Sequence, residues 1–233
     1  MVKLILMRHG QSQWNLHNLF TGWVDIPLSA RGVEEAIEGG RRMQDEPVDV
    51  IFTSSLIRAQ MTAMLAMTVH RSGKVPVVLH EGQGKLEEWG QIYSAEAQEQ
   101  TIPVVCAWEL NERMYGHLQG MDKKALAEKY GVDQVQIWRR SFDVPPPEGE
   151  SLKMTAARTI PYLQNRMMPC LESGQNVFVA AHGNSLRSII MELDSLSEQE
   201  VVSLELATGW PIIYEYANGR FEKQIEFPYL PRQ

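Results

Sequence analysis

Arg8-His9-Gly10-Gln11-Ser12 follows directly on the apolar run Val2 to Met7. A histidine on a turn between a strand and a helix, with a glycine that lets backbone approach closely and a helix N-terminus behind it, suits an anionic group. Imidazole can accept a phosphoryl group when its other ring nitrogen is held by a partner, and the planar fork of Arg8 would neutralise the phosphate oxygens. Taken alone, the tripeptide fits a hydrogen-bonded core histidine equally well. His182-Gly183-Asn184-Ser185 repeats the arrangement after Asn176 to Ala181. A second imidazole across one phosphate could donate a hydrogen bond as charge builds during transfer. Thr53 to Ala59 (TSSLIRA) is a third junction of this kind. Arg58 falls there in a first helical turn, where a cation opposes the macrodipole and needs some other reason, such as a phosphate. On its own it reads as a solvated surface residue.

The elements that must position these groups are legible from periodicity. VKLILM (2–7), DVIFT (49–53) and NVFVAA (176–181) are short apolar runs of the kind buried on both faces of a parallel sheet. Ser29 is a good N-cap for a helix presenting Val33, Ala36, Ile37 and Met43, and residues 55–69 predict a second helix with Leu56, Ala59, Ala63 and Met67 inward. Further helices are expected near 122–130 and 132–142, from Ser151 to about Leu171, and from Ser185 to Leu193. SGKVP and HEGQG in 71–110 read as loops, around helix-like KLEEWGQIYSAEAQEQ and strand-like VVCAW. The alternation predicts an α/β fold, a three-layer α/β/α sandwich with a mostly parallel central sheet whose C-terminal strand ends carry the ligand site. It forms one domain over 1–233, with a helical and loop insertion around 71–150 forming part of the cleft.

The chain has 233 residues, 44% of them hydrophobic and 22% charged, which is ordinary globular usage and excludes disorder and collagen. Its 22 basic and 29 acidic residues sum to −7, so the overall field disfavours nucleic acid and anionic membranes. An anionic ligand must be held by local cations. The two cysteines, Cys106 and Cys170, form no CxxC pair and are expected as reduced thiols; no run approaches a membrane span, and the cytoplasm is the expected compartment. The six histidines show neither HxxxH nor HxH spacing, and no GxxxxGK[ST] loop is present, so no metal site is expected. The Trp residues and Met61, Met64 and Met67 need no role beyond core and cleft wall.

LILMRHGQSQWN, FTGWVDIPLSARG, TSSLIRA, LNERMYGHLQG, WRRSF and AAHGNSLR, in that order, resemble the cofactor-dependent phosphoglycerate mutases of the histidine phosphatase superfamily. The likeness runs from about residue 3 to 217, with 71–108 unlike the usual pattern and Gln11 where glutamate is expected. It implies a phosphoglycerate mutase-like fold and interconversion of 3-phosphoglycerate and 2-phosphoglycerate in glycolysis and gluconeogenesis, with 2,3-bisphosphoglycerate as priming phosphoryl donor and no metal. His9 would carry the phosphoryl group, with Arg8, Arg58 and His182 around it and Asn15, Gly183 and Asn184 contributing further contacts. Glu112 would be the general acid/base on the substrate hydroxyl; without the resemblance it reads as an arginine-paired surface carboxylate. Arginines would lower its pKa and burial would raise it. Arg113, Tyr115, Lys123, Arg139 and Arg140 would hold the substrate's carboxylate and second phosphate, and Thr21 and Gly22 would add contacts. A homodimer or homotetramer is implied. A rival reading is a phosphatase with the same His9, Arg8, Arg58 and His182 but no need of Lys123, Arg139 and Arg140. Residues 71–108 are expected to supply a partial lid, because few residues follow the last strand.

Overall fold

The computed structural model describes residues 1–224. The expectation that the residues after the last strand are too few to cover the cleft falls mainly outside that range. Among the described residues, β1 (Val2–Arg8), β2 (Val50–Ser54), β3 (Val75–Val78), β4 (Thr101–Ala107), β5 (Val177–Ala181), β6 (Pro211–Ala217) and β7 (Arg220–Lys223) form one sheet in the order β3-β4-β2-β5-β1-β6-β7. Neighbours from β3 to β1 pair in parallel, whereas β6 runs antiparallel to β1 and β7 to β6.

Both faces of the central strands are buried, and the period-2 alternation explains how. Leu4, Leu6, Val177 and Val179 face one hydrophobic core, while Ile5, Met7, Phe178 and Ala180 face the other. After the short α1 (Gln13–Leu16), α2 (Ala30–Arg42) and α3 (Ile57–Met67) cover the second core with Met43, Ala63, Ala66 and Met67. Beyond α4 (Lys85–Trp89), α5 (Ala95–Glu99), α6 (Lys123–Tyr130) and α7 (Val132–Arg140), the first core is closed by α8 (Leu152–Tyr162), α9 (Met168–Glu172) and α10 (Gly183–Leu193), with α11 (Glu198–Ser203) beside α10. This is the expected three-layer α/β/α arrangement.

Register brings the chemistry together. Arg8 pairs with Ala181 and Thr53 with Ala180, so β1, β5 and β2 end side by side, and the His9 amide donates to the Ala181 carbonyl at 2.9 Å. Phe20, Leu118, Leu126 and Val135 form a separate small core, which seats α6 and α7 over that end of the sheet.

Three local expectations change. Val75 and Pro76, read as the end of the loop SGKVP, open edge strand β3, where Pro76 is tolerated because its missing N–H faces away from the ladder. The helix expected to run unbroken from Ser151 passes through a π-helical segment at Leu163–Met167 just before Pro169, whose absent N–H forces the ladder to shift. The buried stripe of α2 is Gly32, Ala36, Gly39 and Gly40, with Val33 and Ile37 only half-buried. A Cβ at Gly40 would overlap the Ala66 backbone, so α2 and α3 touch where the glycines are.

Candidate active site

Glycine at position 10 is required by packing. A Cβ there would overlap the carbonyl of Gly32, because the His9–Gln11 turn lies flush on the start of α2. The Gly10 amide donates to Thr62 Oγ1, and the buried His9 ring donates from Nδ1 to the Gly10 carbonyl at 2.6 Å. That bond consumes the Nδ1 proton and leaves Nε2 with its lone pair. Burial, then Arg58 and Arg8, push the His9 pKa well below the ordinary histidine value, so the ring is neutral. His182 is also fully buried, 4.9 Å from His9 between ring centroids, and its Nε2 meets Ser54 Oγ at 2.7 Å. Burial and the charge of Arg58 keep it neutral as well.

Glu112 faces this pair. Its Oε1 accepts from the Arg113 amide (2.8 Å), the Asn184 amide (3.2 Å) and Asn184 Nδ2 (2.8 Å). With Oε1 so occupied, Oε2 is the oxygen left for proton transfer. Burial raises its pKa, but these hydrogen bonds together with Arg58 and Arg8 outweigh it, and the carboxylate sits below its ordinary value. The balance that the sequence leaves open is thus decided for the ionised form.

A cavity of about 270 Å³ opens over these groups. Of the expected residues, Arg8, His9, Asn15, Thr21, Gly22, Arg58, Glu112, Tyr115, Lys123, Arg139, Arg140, Gly183 and Asn184 line it. His182 is not in the lining, but its ring stands beside that of His9. Asn15 spends Oδ1 on the Ser12 amide in a capping box, which turns its amino group to the ligand side. Arg58 binds the Val24 and Gly22 carbonyls at 3.0 and 2.7 Å and so pins the FTGWVD loop, where Gly22 has a positive φ of 53°. Arg8 Nε, Arg58 Nε and Thr21 Oγ1 are buried without a hydrogen-bond partner in the protein. Unpaired donors of that kind beside a cavity fit an anionic ligand.

Two further expected groups lie outside the lining. Arg113 is buried beside the cavity, with Nη2 donating to Tyr115 Oη (3.2 Å) and to the Arg139 carbonyl (2.9 Å). Its place is to hold two lining residues, because its backbone follows Glu112 inward. No residue of 71–108 is among the lining; that segment lies at the β3 edge of the sheet, and the lining residues of the insertion around 71–150 are Glu112, Tyr115, Lys123, Arg139 and Arg140.

Other residues emerge only in three dimensions. Arg187, Glu205, Leu19 and Phe20 line the cavity. Arg187 follows Gly183 by one helical turn, a spacing that could have been read from HGNSLR. Trp23 Nε1 donates to the Glu112 carbonyl at 2.6 Å, and Arg158 Nη2 donates to the Asn111 and Glu112 carbonyls while pairing with Glu150. Nothing local marks either role.

His9, Glu112 and His182 also bring one donor atom each within 4.8 Å of one another, although their spacing in the sequence suggests no metal site. Arg8 and Arg58 act electrostatically on His9, Glu112 and His182 alike, a field that favours an anion between them over a cation.

The family profile described as "Histidine phosphatase superfamily (branch 1)" matches residues 4–92 and 91–225. The chain is 70% identical to a 2,3-bisphosphoglycerate-dependent phosphoglycerate mutase from Protochlamydia amoebophila, over 96% of this chain and 99% of that one. It is 56% identical to the protein of the same name from Chlamydia pneumoniae, over 97% and 99%. Among solved structures, a mycobacterial glucosyl-3-phosphoglycerate phosphatase superposes with a TM-score of 0.72 at 21% identity, over 97% of this chain and 98% of that one, a likeness of fold.

Proposed function

The chain belongs to the histidine phosphatase superfamily, and on that premise we propose that it interconverts 3-phosphoglycerate and 2-phosphoglycerate in a 2,3-bisphosphoglycerate-dependent reaction of glycolysis and gluconeogenesis. One observation carries the reading to the site: a neutral His9 and an ionised Glu112 share a cavity that Lys123, Arg139 and Arg140 also line. A phosphatase needs only the groups around His9. A substrate with a carboxylate and a phosphate needs the further cations as well.

The cavity's cations and the unpaired buried donors of Arg8 and Arg58 fit a bisphosphorylated acid. When bound, 2,3-bisphosphoglycerate supplies the priming phosphoryl group. His9 Nε2 accepts that group while Nδ1–H stays on the Gly10 carbonyl, and Arg8, Arg58 and His182 surround its oxygens. In the first half-reaction the substrate hydroxyl attacks phosphorus, the N–P bond breaks and its electron pair returns to Nε2, while Glu112 Oε2 takes the hydroxyl proton. In the second half, Nε2 attacks the other phosphoryl group and Glu112 returns the proton to the departing oxygen. Asn184 steers Glu112 through Oε1. Lys123, Arg139, Arg140, Tyr115, Asn15, Thr21, Gly22 and Gly183 hold the rest of the substrate. Charge neutralisation by the guanidinium groups, with hydrogen bonding from imidazole, supports a reaction that needs no metal.

Cys106 and Cys170 are free thiols and no described helix is long and apolar enough to cross a membrane, which supports a cytoplasmic setting. A homodimer or homotetramer belongs to the same proposal. The decisive experiment is turnover of 3-phosphoglycerate with and without 2,3-bisphosphoglycerate. Mutase turnover should depend on the bisphosphate and exceed release of inorganic phosphate; release of phosphate as the main reaction would make the protein a phosphatase.

A further inference from the structure

The charged side chains lining the cavity are cations except for two carboxylates, Glu112 and Glu205, and the mechanism uses only the first. Glu205 bridges two guanidiniums. Its Oε1 meets Arg140 Nη2 at 2.6 Å and its Oε2 faces Arg187 Nη2 at 3.7 Å. The backbone on either side is fixed by the site's own arginines: Arg187 Nε donates to the Leu204 carbonyl at 2.8 Å, and Arg8 Nη1 to the Leu206 carbonyl at 2.7 Å. Arg187 is almost wholly buried, with 11% of its side chain exposed, and Nη1 also donates to Asn184 Oδ1 at 3.3 Å. Glu205 itself is 62% exposed. A wet carboxylate is therefore strapped across the cavity mouth, from the segment after α11 to the end of α7.

We propose that Glu205 is a specificity-determining residue, an internal carboxylate that occupies Arg140 and Arg187 in the free protein and yields them to the distal anionic group of a phosphorylated acid. The inference rests on the mutase reading above. Two consequences follow from its position. Ligands with one anionic group leave the Glu205 bridge intact and bind only around His9. Ligands with two must displace Glu205, so the protein binds them less tightly than its count of cations would allow, and product leaves more readily. The bridge is half solvated, so the competition is modest, in the range of exposed ion pairs.

The test compares the wild type with Glu205→Gln and Glu205→Ala, both at an exposed position where folding is not at risk. Dissociation constants for 3-phosphoglycerate are measured by calorimetry, and inhibition by orthovanadate, which mimics a phosphoryl group in transfer at His9, is measured in parallel. Both variants should bind 3-phosphoglycerate about threefold to tenfold more tightly, with KM falling and kcat no higher. Orthovanadate inhibition should change less than about twofold. Unchanged or weaker binding of 3-phosphoglycerate, shifts of opposite sign in the two variants, or an equal gain for orthovanadate would overturn the proposal. If the wild type itself neither binds nor turns over 3-phosphoglycerate, the functional reading fails first; if it does and the substitutions have no effect, only the role of Glu205 fails.

Discussion

The imidazoles of His9 and His182 stand 4.9 Å apart, tilted 59° to each other, and both are held neutral by burial and by the guanidinium of Arg58. Two strands deliver them: β1 and β5 pair in parallel with Arg8 opposite Ala181, so the residue that follows each strand comes to the same end of the sheet. Four predictions follow from this pair and the groups around it.

Stability should fall on acidification. In the unfolded chain a histidine takes up its proton near pH 6.5, whereas His9 and His182 in the folded protein refuse it until well below that value. The unfolded state then binds more protons, and stability declines as pH drops through about 6.5, by up to about 1.4 kcal/mol per pH unit for each histidine. Urea unfolding of His9→Asn between pH 7 and 5 should show a shallower slope than the wild type. Identical slopes would mean that His9 protonates normally.

His9→Ala should abolish the phosphoenzyme and turnover, and adding His182→Ala should cost little more, since residues acting as a unit are strongly non-additive. The check is labelling with a phosphoryl donor, read alongside kcat for each single variant and the pair. Substantial mutase turnover by His9→Ala would end the covalent mechanism.

Glu112→Gln keeps the acceptor for the Arg113 and Asn184 amides but cannot carry the substrate proton. Turnover should drop by about 10²–10⁴ while slow phosphorylation of His9 persists. Rapid-quench measurement of the phosphoenzyme separates the two; wild-type turnover would assign the proton to another group.

Lys123 gives an alkaline limb. Its Nζ rests on the Leu19 carbonyl at 3.0 Å, and burial, Arg139 and Arg8 push its pKa down to about 8. The ammonium is present below that pH and lost above it, so kcat/KM for the anionic substrate should fall on the order of tenfold between pH 7.5 and 9.5. Lys123→Arg, which does not titrate there, should flatten the fall. An unchanged limb in Lys123→Arg would place the titration elsewhere.

The strands ending at His9 and His182, the capped helices and the local excess of cations in a net-acidic chain are carried by nearest-neighbour signals: apolar runs, N-cap residues, and Gly beside His. Those signals suffice because each element's face and ends depend on residues a few positions away. Spatial relations across the chain do not leave such marks. The sequence could not show that Arg113 lies beside the cavity, that Arg158 and Trp23 grip the Glu112 carbonyl, or that Glu205 bridges Arg140 and Arg187. It could not decide whether burial or hydrogen bonds and arginines govern the Glu112 proton, because that balance depends on distances to residues 72 positions away in the chain. Nor could it tell which ring nitrogen of His9 is free; the Gly10 carbonyl decides that, and it reaches Nδ1 only because Gly10 is pressed against Gly32 at the start of α2.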